Sequence, residues 1–152
     1  MTKVNEAVAR EAFEQALATH EQDRFGEFFL VKLYGMEVQY TDEECVIGFE
    51  VKDYMHNPQG GLHGGVIAFV LDISMGHLLY RKSGPGATLE MKVQYLSVAR
   101  SGRVTCTARF LRQGKTISAL RSELLDADGE MIAYATSTWT SLRAPKVGAK
   151  SE

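Results

Sequence analysis

The 152-residue sequence predicts an α+β domain in which an antiparallel sheet wraps around one long central helix, with a further helix at the N-terminus. Two observations predict it. Gly64 to about Arg81 is apolar on nearly every side and too long for a strand. From Leu89 to Leu142 the apolar residues instead recur with period two.

Residues 4–22 open the chain as a helix, with Val4, Val8, Phe13 and Leu17 at helical spacing among charges. Phe28–Tyr40 follows, rich in aromatic and β-branched residues, its second half alternating through Met36, Val38 and Tyr40. Across the turn Thr41-Asp42-Glu43, the residues Cys45, Ile47, Phe49 and Val51 alternate in the same way, so the two segments read as a hairpin. A loop dense in turn residues, His56-Asn57-Pro58-Gln59-Gly60-Gly61, leads into the central helix, which Lys82-Ser83-Gly84-Pro85-Gly86 terminates. Eighteen helical residues span about 27 Å, enough to cross several strands. Four strands follow: Leu89, Met91, Val93 and Tyr95 on one face of the first, Val104, Cys106, Ala108 and Phe110 on one face of the second, then 116–126 and 131–142. Gln113-Gly114-Lys115 and Ala127-Asp128-Gly129 supply the tight connections. No repeat or linker divides the chain, so residues 1–152 are expected to form one domain, with a helical block over 1–25 and a frayed tail over 143–152.

Composition narrows the function. A net charge of −2 excludes a general polyanion binder, since nonspecific nucleic-acid affinity rests on many Lys and Arg contacts to phosphate. At 45% hydrophobic the chain carries enough apolar surface to order itself. Cys45 and Cys106 fit neither a metal spacing nor a disulfide framework and read as small buried residues in a reducing compartment. No pair of histidines has a ligand spacing, so His56 and His77 read as structural or surface groups and no metal or cofactor is expected. Glu6, Arg10, Glu11 and Glu14 interrupt what would have to be a signal peptide, and His63, Asp72, Ser74 and His77 break the Leu62–Tyr80 stretch as a membrane span. A cytoplasmic location is the expectation.

Asp72 is the residue out of place. It lies within the most apolar helix, and no Lys or Arg occurs between residues 53 and 80. A carboxylate there either points outward, or sits in a satisfied polar pocket, or serves chemistry as a general base or nucleophile. Upstream, Gly60-Gly61-Leu62-His63-Gly64-Gly65 runs into the helix start. Such a run permits close backbone approach and presents unpaired N–H groups, the parts of an oxyanion hole; a plain turn and helix start explain it equally well. It lacks the GK[ST] ending of a phosphate loop and does not match GxGxxG.

Asn57-Pro58-Gln59-Gly60-Gly61-Leu62-His63-Gly64-Gly65, with Asp72 nine residues after His63, resembles the signature of the hotdog-fold acyl-CoA thioesterases, in particular the phenylacetate-pathway type with an HGG motif. The resemblance runs from about Met36 to Leu142 and includes the strand 87–96 and Gln113-Gly114-Lys115-Thr116. It implies hydrolysis of an acyl-CoA thioester, with Asp72 as general base or nucleophile acting across a dimer interface and the Gly64 N–H polarising the thioester carbonyl. It further implies that Asn57 orients water or substrate, that His63 stands beside the oxyanion donor, and that Thr88 helps position the attacking water. Gly65, Arg112, Lys115 and Thr116 fall where relatives hold the CoA moiety, although the last three also read as an ordinary solvated turn. His63 has an equally good reading as a structural residue. The implied assembly is a homodimer that forms the site, joined as a dimer of dimers, without nucleic acid or membrane as partner.

Two other readings stay open. A hydratase or dehydratase of the same fold would pair His63 with Asp72 as acid and base. A non-catalytic acyl-CoA binder would have no use for the buried carboxylate. The acyl group is not encoded: Phe69, Met75, Leu79 and Tyr80 fit either a tunnel or, more simply, the core.

Overall fold

The computed structural model describes residues 3–142; the frayed tail expected over 143–152 lies outside them. Helix α1 (Glu6–Thr19) is shorter than the predicted 4–22. Asn5 caps it, its side chain accepting from the Val8 N–H at 3.4 Å, and this fixes the first turn beyond Val4. Only Ala16 of α1 is buried, and Phe13 meets Phe29 edge-on at 5.6 Å, so α1 packs on the next helix rather than in the core.

That next helix, α2 (Phe29–Leu33), corrects the sequence reading: only the second half of Phe28–Tyr40 is strand. Five residues are too few for helical periodicity to register. The end of α2 was nonetheless written in the chain. Gly35 takes φ +60°, its N–H reaches Lys32 O at 3.0 Å, and the Met36 N–H reaches Val31 O at 2.9 Å. This is a Schellman stop, which needs glycine at the left-handed position. Val31, wholly buried, anchors the helix.

Strands β1 (Glu37–Tyr40) and β2 (Glu44–Glu50) form the predicted hairpin. After a short 3-10 turn at Asp53–Met55 comes helix α3 (Gly64–Ser83), stopped by Gly84 at φ +79°. Strands β3 (Gly86–Tyr95), β4 (Arg103–Arg112), β5 (Ile117–Leu125) and β6 (Met131–Ser141) complete one antiparallel sheet of order β1-β2-β4-β5-β6-β3. The strand after α3 thus crosses to the far edge and pairs only with β6, leaving its outer edge without a partner strand among the described residues.

Helix α3 lies across strands β2 to β6. Its Val70, Leu71, Met75, Leu78 and Leu79 are wholly buried, against Ile47 and Phe49 of β2 and Leu120 and Leu124 of β5. Small residues carpet the sheet beneath: Cys106, Ala108, Ser122, Ala133, Ala135 and Ser137 are all buried and let the helix approach closely. Their polar atoms are paired, Ser74 Oγ with Ser122 Oγ at 2.8 Å and Trp139 Nε1 donating to Ser137 Oγ at 2.6 Å. Cys45 and Cys106 are buried and not disulfide-bonded.

Three expectations about faces need correction. The helix is not buried all round: Gly65, Ala68, Asp72 and Gly76 form a less covered stripe at helical spacing. Of the four large residues assigned to the core, Met75 and Leu79 belong there, Phe69 is half-buried under Phe28 and Tyr34, and Tyr80 is exposed, stacked on Phe25 at 4.0 Å. The regular alternation in β3 also fails at its start. Thr88 pairs with Trp139 and Glu90 with Thr138, so Leu89 is a one-residue bulge, 56% exposed.

Candidate active site

Asn57 lies in the loop that precedes α3. Its Oδ1 accepts from the Gln59 N–H at 3.0 Å and the Gly61 N–H at 3.2 Å, and this shapes the loop that delivers the chain to α3. His63 is the N-cap of α3, its Nδ1 accepting from the Gly65 N–H at 2.8 Å. A ring nitrogen that accepts is deprotonated, so the proton of neutral His63 sits on Nε2. With Gly65 engaged and the Val66 and Ile67 N–H groups on His63 O, the Gly64 N–H is the one donor of this first turn without an acceptor among the described residues.

Asp72 is half-buried two turns further along α3. Thr88 Oγ1 donates to its Oδ1 at 2.9 Å, and Oδ2 has no partner among the described residues. Burial lifts the Asp72 carboxyl above its ordinary pKa, and the Thr88 bond partly opposes that rise. The site therefore holds a carboxylate with one oxygen fixed and the other available to take a proton.

The predicted residues fall into three groups spread along the axis of α3. Asn57, His63, Gly64 and Gly65 gather at its N-terminus, and Asp72 with Thr88 at its middle. Arg112, Lys115 and Thr116 flank the β4–β5 turn at its C-terminal end, where Gln113 Nε2 donates to Ser83 Oγ at 3.0 Å. At 1.5 Å per residue Gly64 and Asp72 are about 12 Å apart, and His63 and Asp72 about 13.5 Å. Within one chain, then, each pair is separated by more than two turns of α3.

Two residues at the site escaped the sequence reading. The Tyr95 hydroxyl donates to Gly64 O at 3.1 Å, and its ring lies against Gly64, with room for ordinary contact only. Alternation put Tyr95 on the helix-facing side, but nothing local linked it to Gly64. Arg100 lies over the loop, its guanidinium 3.4 Å from Gln59 O, a long-range approach with no sequence signal. Among the described residues no His, Cys, Asp and Glu cluster is suited to a metal, and no helix is long and apolar enough to cross a membrane.

A six-stranded antiparallel sheet packed around one long helix, with a further helix at the N-terminus, is the architecture of the hotdog class. The family model of the thioesterase superfamily matches residues 59–133. A medium/long-chain acyl-CoA thioesterase of Escherichia coli is 33% identical over 125 residues, covering 69% of this chain and 80% of the relative. Acyl-coenzyme A thioesterase 13 of Mus musculus is 30% identical over 105 residues, covering 66% and 75%. The Escherichia coli protein from the phenylacetic acid degradation operon superposes with TM-score 0.75 at 18% identity, covering 90% of this chain and 96% of that one, a likeness of fold. The chain belongs to the thioesterase superfamily and is a thioester hydrolase.

Proposed function

We propose that the protein hydrolyses acyl-CoA thioesters in a site assembled from two copies of the chain. The observation that carries this reading is the Asp72 carboxylate, held by Thr88 on a helix with no other acidic residue and about 12 Å from the oxyanion donor of its own chain. Two α3 helices related by a two-fold axis would set Asp72 of one beside Gly64 of the other, twice over. The unpartnered outer edge of β3 supports such a pairing, since an exposed edge strand is a template for another strand. The expected assembly is this dimer, joined further as a dimer of dimers.

In this mechanism Asp72 Oδ2 takes a proton from water as its oxygen attacks the thioester carbon, and the Gly64 N–H of the second copy stabilises the oxyanion. Collapse breaks the C–S bond and releases acid and thiol. A thiol with a pKa of about 8.5 leaves with little protonation, so no strong general acid is needed. Arg112, Lys115 and Thr116 are assigned to the phosphates of CoA, while Asn57 and His63 shape the loop and helix start. The names of the two relatives support acyl-CoA as the substrate class. The two unpaired buried cysteines accord with a reducing, cytoplasmic setting.

The test is release of thiol, followed with a chromogenic reagent, from a panel of aliphatic and aromatic acyl-CoAs. Wild type is expected to turn over at least one class, and Asp72→Asn to lose about 100- to 10,000-fold in kcat. Asp72→Asn turning over at the wild-type rate would overturn the role of Asp72; loss of an enoyl double bond with the thioester intact would instead identify a hydratase.

A further inference from the structure

The ladder between β3 and β6 carries a consequence for the site. The helix-facing residues of β6 are Ala133, Ala135, Ser137 and Trp139, all buried. Opposite them on β3 stand Tyr95, Val93, Met91 and then Thr88. Strict alternation backwards from Met91 would put Leu89, not Thr88, opposite Trp139 and next to α3. The bulge alone changes that parity.

We propose that the one-residue bulge at Leu89 is a positioning element of the active site, selecting the Thr88 hydroxyl rather than the Leu89 isobutyl group as the β3 side chain that meets the Asp72 carboxylate. The inference rests on the reading of Asp72 as the base. A regular β3 would lay a hydrocarbon against an already desolvated carboxylate, leaving it without any hydrogen bond among the described residues. With the bulge, Thr88 Oγ1 donates to Oδ1, which favours the ionised form and holds the carboxylate plane so that Oδ2 faces outward. Thr88 is thus a positioning residue, acting through Asp72.

Among the described residues no charge competes for this task. Burial and Thr88 are the influences on Asp72; the β6 residue opposite Thr88 is the uncharged Trp139, and neighbouring α3 residues are apolar apart from Ser74, which bonds Ser122. The charged residues of β3 are turned away: Glu90 and Lys92 stand opposite Thr138 and Thr136 on the outer face, and Glu90 Oε1 accepts from Thr138 Oγ1 at 2.7 Å.

Two deletions of equal length test the inference, because each straightens the strand. Removing Leu89 leaves Thr88 opposite Trp139; removing Thr88 puts Leu89 there. The readouts are the Asp72 carboxyl titration by ¹³C NMR and the split of kcat from KM. Deletion of Leu89 is expected to keep the wild-type titration, whereas deletion of Thr88 moves it up by about one pH unit and lowers kcat about tenfold, with KM within about twofold. Substitutions at full length guard against misfolding: Thr88→Val is expected to shift the titration as the Thr88 deletion does, and Thr88→Ser to hold it. The double change Thr88→Ala with Leu89→Thr is expected to leave it shifted. Restoration by that double change, or an equal shift in both deletions, overturns the inference. Should Asp72→Asn keep full activity while these titrations behave as expected, the base reading falls and takes the catalytic consequence with it, while the bulge still decides which β3 side chain meets the Asp72 carboxylate.

Discussion

Asp72 and His77, five residues apart on one helix, meet burial in opposite ways. Desolvation raises the Asp72 carboxyl, so the folded state binds its proton more tightly than the unfolded chain does. The stability tied to that proton is present at low pH and lost as pH rises through the raised pKa. Asp72→Asn is therefore expected to be at least as stable as wild type in thermal melts at pH 7 while nearly inactive, the pattern of a residue kept for chemistry. His77 is 2% exposed, enclosed by Phe25, Phe28 and Tyr40, with Nδ1 3.2 Å from the Tyr40 hydroxyl and no partner for Nε2 among the described residues. Burial pushes it down to about 4, against 6.5 when unfolded. Here the unfolded state binds the proton, so stability is full above about pH 6.5 and declines as pH falls toward 4, by about 3 kcal/mol in all. His77→Phe is expected to flatten that part of the acid limb in denaturant titrations; an unchanged slope would mean that other groups carry it.

Among the elements, the most legible from sequence were those whose periodicity runs long. Helix α3 and strands β4 to β6 repeat their pattern over nine residues or more, and the Gly84 and Gly129 stops lie at positive φ where glycine signals them. Helix α2 was missed because it spans barely more than one turn, although Gly35 marked its end. The bulge was missed for a different reason: Leu89 satisfies the alternation by type, and only the pairing of Thr88 with Trp139 reveals that it has been displaced. The same gap hid the Tyr95–Gly64 contact, since ladders and caps join residues far apart in the chain. The β4–β5 turn offers a direct check. A Cβ on Gly114 would collide with the carbonyl oxygen of Ile117, a backbone atom that cannot swing aside. Gly114→Ala is thus expected to cost about 1–3 kcal/mol in unfolding free energy and to disturb Arg112 and Lys115 on either side, raising KM for CoA esters more than it lowers kcat.

For the whole molecule the decisive question is whether one chain or two make a site. Gly64→Pro removes the N–H at the first helical position, where proline is well accommodated, and Asp72→Asn removes the base. Each is expected to be inactive alone. In a shared site, co-refolding equal amounts restores one complete pair in each mixed dimer, about a quarter of wild-type activity by random assortment. A site built within one chain would regain nothing on mixing. Light scattering of the wild type should show a mass above the 16.8 kDa of the single chain.

The spacing of the site along α3 also sets what the chain can tolerate in descent. Loops accept insertions because their ends can be rejoined, but the interval from Gly64 to Asp72 is uninterrupted helix. One added residue there would advance the carboxylate by about 1.5 Å and swing it about 100° around the axis, off the stripe it shares with Gly65 and Gly76 and away from Thr88. No partial version of that change exists. The distance between donor and base is counted in whole residues, so variation among descendants is confined to the identity of side chains within this interval, while gains and losses of length collect in the loops outside it.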